Sequence, residues 1–278
     1  MMINEVYLIY FSPTHTSRQI AEAIVRGTGV EKVVTVDITR QDVGEVVIPE
    51  SALAVVAVPV YGGHVAPLAM ARLQGIRGLD APAALVAVYG NRAYEKALVE
   101  LDAFAGSRGL KVVAGATFVG EHSYSTDKCP VAAGRPDRDD LAYAEDFGRK
   151  IADKLLAAGS ADALCQVDVR AIRRPGQPVL PLLRFLWKVI RLRRSGVALP
   201  RAPRVNDESA CTHCGLCVRS CPVGAIVKGD ELHTDQTKCI KCCACVKACN
   251  RKARVYDTPF AALLSDCFKE RKQPQTIL

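Results

Sequence analysis

The chain has 278 residues, 49% of them hydrophobic, enough for two domains of roughly 150 residues and a substantial apolar core. Its net charge of +8 is local: ten Lys or Arg and no Asp or Glu lie between Arg170 and Arg204, while the other 27 basic residues nearly balance all 29 acidic ones. No run reaches the ~18 uninterrupted apolar residues of a membrane span, which excludes a transmembrane segment.

The opening stretch, MMINEVYLIYFSPT, has no basic start and no small-residue cleavage site, so it reads as a first strand and not as a signal peptide. A cytoplasmic location is expected. Twelve cysteines in that compartment point to metal ligands or redox thiols before structural disulfides.

Five strands are expected, at EVYLIYF, EKVVTVDI, LAVVAVPVY, AALVAVYG and LKVVAGATFVG. Their nearly continuous hydrophobicity suits a parallel sheet buried on both faces. Helical periodicity follows in TSRQIAEAIVRG with Gly27 as its stop, in NRAYEKALVELDAFAGSRG with Asn91 as its cap, and in DRDDLAYAEDFGRKIADKLLAAG, acidic at its start. Residues 1–159 therefore read as a doubly wound α/β domain with a five-stranded parallel sheet.

In such sheets ligands bind outside the carboxyl ends of the strands, at the point where strand order reverses. Three loops qualify. SPTHTS places Ser12, Thr14, His15, Thr16 and Ser17 at a helix amino end, where hydroxyls and free N–H groups can cradle a phosphate or simply cap the helix. PVYGGHVAP offers Pro59, Tyr61, Gly62 and Gly63: the ring can lie against an aromatic cofactor or close the core, and the glycine amides can approach a ligand closely. YGNRAYE presents Gly90, Asn91, Arg92 and Tyr94 as donors. His64 and His122 are the loop histidines that could move protons there.

The first loop resembles the phosphate loop of flavodoxins, Ser/Thr-x-Thr-Gly-x-Thr, with His15 where the family prefers Gly and Ser17 where it prefers Thr. That resemblance implies FMN, with its phosphate on the first loop and its ring system by the other two.

Residues 160–206 read as a basic linker whose middle forms an amphipathic helix at 182–194. Leu183, Leu186, Trp187 and Ile190 fall on one side, and Arg184, Lys188 and Arg191 on another. Such a helix suits an anionic membrane surface or an acidic partner, or docks between the domains. The arginine run also raises nucleic-acid binding, but no recognition motif accompanies it and no nucleic-acid partner is expected.

Cys211, Cys214, Cys217 and Cys221 follow C-x2-C-x2-C-x3-C-P, and Cys239, Cys242, Cys245 and Cys249 repeat the spacing 28 residues later, ending in Asn250. Three cysteines from one tight loop reach three irons of a cubane, and in two-cluster ferredoxins the fourth ligand comes from the other repeat. Cys211, Cys214, Cys217 and Cys249 are thus assigned to one [4Fe-4S] cluster, and Cys239, Cys242, Cys245 and Cys221 to a second. Zinc also uses C-x2-C pairs but rarely this run. Gly215 and Ala244 supply the small residues that a loop around inorganic sulfide requires. Cys129, Cys165, Cys243 and Cys267 lack ligand spacing. A small α+β dicluster domain at 207–258 and a tail at 259–278 are expected.

With GEHSYS at 120–125, GNRAYEKAL, AAGRPDRDDL and the cysteine repeats, the chain resembles the EFR-type family of flavodoxin–ferredoxin fusions over almost its whole length. The resemblance implies FMN, two [4Fe-4S] clusters and electron transfer to or from a protein redox partner. No catalytic acid, base or nucleophile is evident. Two other readings stay open: an FMN-dependent oxidoreductase acting on a small molecule, and a redox-sensing nucleic-acid binder.

Overall fold

Each of the five apolar runs forms a strand. The structure is a computed structural model that describes residues 3–160 and 163–278; Met1 and Met2 of the amino-terminal stretch, and Ala161 and Asp162 of the linker, lie outside the described residues. In chain order the elements are β1 (Glu5–Tyr10), α1 (Thr16–Thr28), β2 (Val33–Asp37), β3 (Val46–Ile48), β4 (Ala52–Tyr61), β5 (His64–Val65), α2 (Pro67–Leu73), β6 (Ile76–Gly78), β7 (Ala81–Tyr89), α3 (Ala97–Ser107), β8 (Leu110–Val119) and α4 (Arg138–Ala158). There follow a single 3-10 turn (Val169–Ala171), α5 (Val179–Arg194), β9 (Arg204–Val205), α6 (Leu216–Ser220), α7 (Ala244–Lys247), β10 (Arg254–Val255), α8 (Pro259–Cys267) and β11 (Gln275–Ile277).

The chain divides into two compact units. The first comprises the residues up to Gly120, Gly134–Pro175 and Lys272–Leu278; the second comprises Glu121–Ala133 and Gly176–Arg271. Residues 163–175, which composition assigns to the linker, thus group with the first unit.

In the first unit the sheet runs β11-β8-β7-β4-β1-β2, with β5 paired to β4; the five expected strands β2, β1, β4, β7 and β8 are parallel, and the antiparallel β5 and β11 make the sheet seven-stranded. This is the flavodoxin-like strand order, and the fold is flavodoxin-like. All nine residues of β7 and the first seven of β4 are buried, as helices on both faces require. On one face α1 lies against α4, and glycines set the approach: a Cβ on Gly27 would stand 1.9 Å from the Glu145 carbonyl oxygen, and one on Gly148 1.9 Å from that of Ile24. Gly27 is therefore a contact residue inside the helix and not its stop. Gly29 ends α1 at φ 69°, its N–H donating to the Arg26 carbonyl.

Two more expectations are corrected. Asn91 does not cap α3, which begins six residues later, because the chain first makes a loop in which Asn91 itself takes φ 64°. The chain end is not only a tail: Gln275–Ile277 pairs antiparallel with Gly115–Thr117 and covers the β8 edge. At the head of α4, Asp137 accepts from the Asp139 and Asp140 N–H groups in a capping box. Asp140 also pairs with buried Arg135, whose Nη1 donates to the Lys272 carbonyl (2.8 Å) and ties down the approach to β11.

The second unit holds both cysteine repeats. Its two-stranded sheet pairs Val205 with Arg254 and Arg204 with Val255. Helix α5 starts at Val179, three residues before the expected position, since Pro181 is tolerated in a first turn. It packs on α8 through Leu182 and Phe185, the latter edge-on to Phe268 at 5.1 Å. Leu183, Leu186, Trp187 and Ile190 remain exposed.

Candidate functional site

β1, β4 and β7 are parallel neighbours, so the loops that leave their carboxyl ends open along one edge of the sheet. Strand order reverses between β1 and β4, the position at which an open α/β sheet receives a ligand.

In the loop after β1, Ser12 is buried and already committed. Its N–H donates to Thr39 Oγ1 (2.8 Å), and its Oγ accepts from the Arg18 N–H at the head of α1 (3.0 Å). Capping is thus the role of this hydroxyl. Ser17 differs: it is fully buried, and its Oγ has no hydrogen-bond partner among the described residues. Thr14 and Thr16 are half-buried between them. His15 sits at the N-cap of α1 with φ 67° and no side-chain capping bond. It adopts the left-handed backbone that glycine would supply, which costs an L-residue about 1–2 kcal/mol and which His tolerates better than most. The turn therefore has the glycine-like shape without the glycine.

The other two loops are joined to each other. Gly62 and Gly63 take φ 62° and 92°, and a Cβ on Gly63 would meet the Glu95 side chain at 2.6 Å. The Lys96 N–H donates to the Gly63 carbonyl (2.8 Å), and Arg92 pairs with Glu95 at 3.0 Å. Tyr61, at the end of β4, is half-buried, as are Pro59 and Gly90. Tyr94 is spent on packing: it is buried, edge-on to Tyr89 at 5.8 Å, and its hydroxyl donates to the Ile172 carbonyl (3.0 Å). His64 is held by Glu100. His122 belongs to the segment that groups with the second unit, where its ring meets Tyr124 and its Nδ1 accepts the Tyr124 N–H (3.0 Å).

An unsatisfied buried hydroxyl beside a long helix's amino end fits a phosphate, since oxygen acceptors there would complete the Ser17 bond and meet the helix dipole. A half-buried Tyr61 beside exposed Gly62 leaves backbone open to a flat ring, while Gly63 is closed off by Glu95.

In the second unit the duplication is visible in the backbone. His213 and Lys241 take φ 51° and 59°, Gly215 and Cys243 take 71° and 59°, and Gly224 and Lys252 take 60° and 52°, each pair 28 residues apart. The counterpart of Gly215 is therefore Cys243, not Ala244. Cys243 is buried, and its Sγ donates to the Lys241 carbonyl (3.7 Å), so the extra thiol occupies a turn position.

Two cavities follow. One is lined by Cys211, Cys214, Cys217 and Cys249; the other by Cys221, Cys239, Cys242 and Cys245, with Cys243 at its wall. Each cavity thus takes three cysteines from one repeat and the fourth from the other. Backbone N–H groups point at the sulfurs: Ala225 to Cys221 Sγ (3.2 Å) and Lys241 to Cys239 Sγ (3.4 Å). Among the described residues no group of three or more His, Cys, Asp or Glu is drawn together as a single metal ion would require. Four soft thiol donors around each cavity, with amides aimed at sulfur, fit a cubane cluster.

Burial pushes the Cys242 thiol up to about 12 and that of Cys245 up to about 11, and raises Cys217 and Cys239 as well. The Arg254 charge pulls Cys217 and Cys245 part of the way back. Cys214, exposed, is lowered by the Leu216 N–H. Thiols held so high stay protonated near neutral pH until a metal displaces the proton. Sequence reasoning missed Arg254, and the segment Glu121–Ala133 as part of this unit. Lys247 from α7 binds Glu121 and the Ser125 carbonyl (2.5 and 2.8 Å), and Tyr124 lies on Tyr256 with ring centroids 5.2 Å apart.

The sequence matches the 4Fe-4S binding domain family (Fer4) over residues 205–227, the first cysteine repeat. No curated protein matches the chain. Among solved structures it is similar to a flavodoxin from the domain Archaea, at 14% identity over 55% of this chain and 99% of that one with a TM-score of 0.35. It is also similar to a flavodoxin of Streptococcus pneumonia TIGR4, at 17% identity over 54% and 99% with a TM-score of 0.38. A third similarity is to the rubredoxin oxygen:oxidoreductase of Desulfovibrio gigas, at 14% identity over 56% of this chain and 37% of that one, with a TM-score of 0.40.

Proposed function

We propose that the protein is an electron carrier of the EFR-type flavodoxin–ferredoxin kind. In this reading FMN is held by the flavodoxin-like unit, two [4Fe-4S] clusters by the cysteine repeats, and a protein partner gives or takes the electrons in a cytoplasmic setting. The observation that carries this reading is the crosswise lining of two cavities, with Cys249 joining the first repeat's three cysteines and Cys221 the second's. FMN exchanges electrons singly or in pairs, whereas a cubane passes one at a time, so a chain holding both can join the two kinds of chemistry.

Each residue has a physical task in this scheme. Ser17, Thr14, Thr16 and the left-handed His15 turn hold a phosphate, with Ser12 fixing the helix head behind them. Pro59, Tyr61, Gly62 and Gly63 flank the ring, and Gly90, Asn91 and Arg92 face its polar edge. The eight cysteines ligate iron, with Cys217, Cys242 and Cys245 buried and Cys214 at the exposed side. The test is anaerobic purification with iron, acid-labile sulfide and flavin quantified. About eight irons and one FMN per chain are expected. Zinc, or no metal, in oxygen-free protein overturns the reading, and iron without flavin confines it to the second unit.

A second surface belongs with this function. Among the described residues no helix is long and apolar enough to cross a membrane. Yet α5 buries none of its residues, and Leu180, Leu183 and Trp187 are 79%, 56% and 58% exposed. Basic residues accompany them, with Arg191, Arg193 and Arg194 in the last turn. An exposed apolar stripe bordered by cations suits the surface of an anionic bilayer, reached through residues 182–194. Flotation with vesicles containing phosphatidylserine should carry the protein upward while neutral vesicles do not; equal behaviour with both rejects this contact.

A further inference from the structure

The 28-residue repeat makes Arg254 the counterpart of Ile226. The backbones agree up to that point, since Gly224 and Lys252, two residues earlier, share a left-handed turn. Ile226 is buried against Cys217 and Cys245, which is the behaviour expected of the position. Arg254 is equally buried, at 3% exposure, although a guanidinium is almost never placed so deep unless its charge is met.

Its hydrogen bonds do not meet that charge. Nη1 donates to the Glu231 carbonyl (2.5 Å) and Nη2 to Thr234 Oγ1, both neutral acceptors. Nε has no partner, and Arg254 forms no ion pair with a carboxylate among the described residues. Beyond those acceptors it faces sulfur. Arg254 lines the cavity of Cys211, Cys214, Cys217 and Cys249, and its positive field also reaches Cys245 and Cys239 of the other cysteine set. The two Nη bonds fix the plane of the guanidinium and leave Nε–H without an oxygen acceptor, while the Cys245 sulfur stands within hydrogen-bond reach of the Arg254 side chain.

We propose that Arg254 is the buried counter-charge of the iron–sulfur unit: its Nε–H donates to a sulfur of the bound cluster or of a ligating thiolate, and its charge raises that cluster's reduction potential. Each electron accepted makes a thiolate-ligated cubane more negative, so a fixed cation and a sulfur-directed hydrogen bond favour the reduced form. The cluster of Cys211, Cys214, Cys217 and Cys249, whose cavity Arg254 lines, feels the larger effect. This inference rests on the reading that the cysteines hold clusters.

The experiment begins with iron and sulfide analysis of the full chain, so that loss of the cluster reading is recognised before anything is said of Arg254. With clusters present, redox titrations followed by EPR are run on wild type, Arg254→Lys and Arg254→Met. Arg254→Met should disfavour reduction of one cluster about tenfold, ~59 mV for one electron, and Arg254→Lys less. Pulsed EPR of reduced protein labelled with 15N-arginine should show a nitrogen coupling that Arg254→Lys abolishes. Unchanged potentials in Arg254→Met overturn the proposal. Should that variant lose iron, identical potentials and identical nitrogen coupling in wild type and Arg254→Lys overturn it instead.

Discussion

Replacing Ser17 by alanine takes a partnerless hydroxyl out of the interior, so the apoprotein should lose no stability and gain as much as about 1 kcal/mol. If that hydroxyl holds a phosphate, the same variant should bind FMN about tenfold more weakly, the loss of one hydrogen bond to a charged group. Thermal melts of apoprotein and fluorescence titration with FMN read the two effects separately. At His15 the backbone decides: His15→Gly should match or exceed wild type in stability, while the β-branched His15→Val should cost about 1–2 kcal/mol because φ 67° crowds its side chain. Equal melting of the two variants would show that the turn relaxes. These residues also mark where sequence stops being informative. A departure from Gly to His in a motif says nothing about φ, and the alternation of hydroxyls cannot tell Ser12, which caps, from Ser17, which lacks a partner. Arg254 is hidden for the same reason, since only its burial separates it from the other arginines.

The long strands β1, β4, β7 and β8 of the first unit are legible in the sequence because a strand buried on both faces has few ways to be written, whereas the short β3, β5, β6 and α2 are not. The errors fall where a distant segment intervenes. Gly27 reads as a helix stop, yet α4 crosses α1 so closely that a Cβ there or at Gly148 would enter a carbonyl of the other helix. Gly148→Ala should therefore destabilise by about 1–3 kcal/mol through overpacking, despite alanine's higher helix propensity, and denaturant titration of the first unit's transition will show whether contact or propensity wins. Strand β11 escapes notice for a related reason: QTI is too short and too plain to announce itself, and only the β8 edge gives it a partner. In the second unit the cysteine spacing carries the positions around both cavities, and the duplication hides in φ angles that four non-glycine residues share with glycines or with each other.

At the scale of the whole molecule, composition divides the chain into front, linker and rear, whereas contacts divide it otherwise. Composition follows local sequence, and the segments 121–133 and 272–278 are assigned by what they touch. The final seven residues test this. Deleting Lys272–Leu278 bares the β8 edge and removes the carbonyl that buried Arg135 Nη1 uses. A loss of about 2 kcal/mol from a charged donor left unmet, or a Tm lower by about 4–8 °C, is expected in the first unit's transition, with cluster content unaltered. An unchanged melt would mean that water serves Arg135 as well.

The polypeptide crosses between its two units four times, after Gly120, Ala133, Pro175 and Arg271. A single nick by a protease inside the cysteine-rich unit therefore frees neither fragment from the sheet, because one piece keeps β1 and the other keeps β11. Truncating the chain ahead of the cysteine repeats would likewise strip an edge strand from the first unit's sheet.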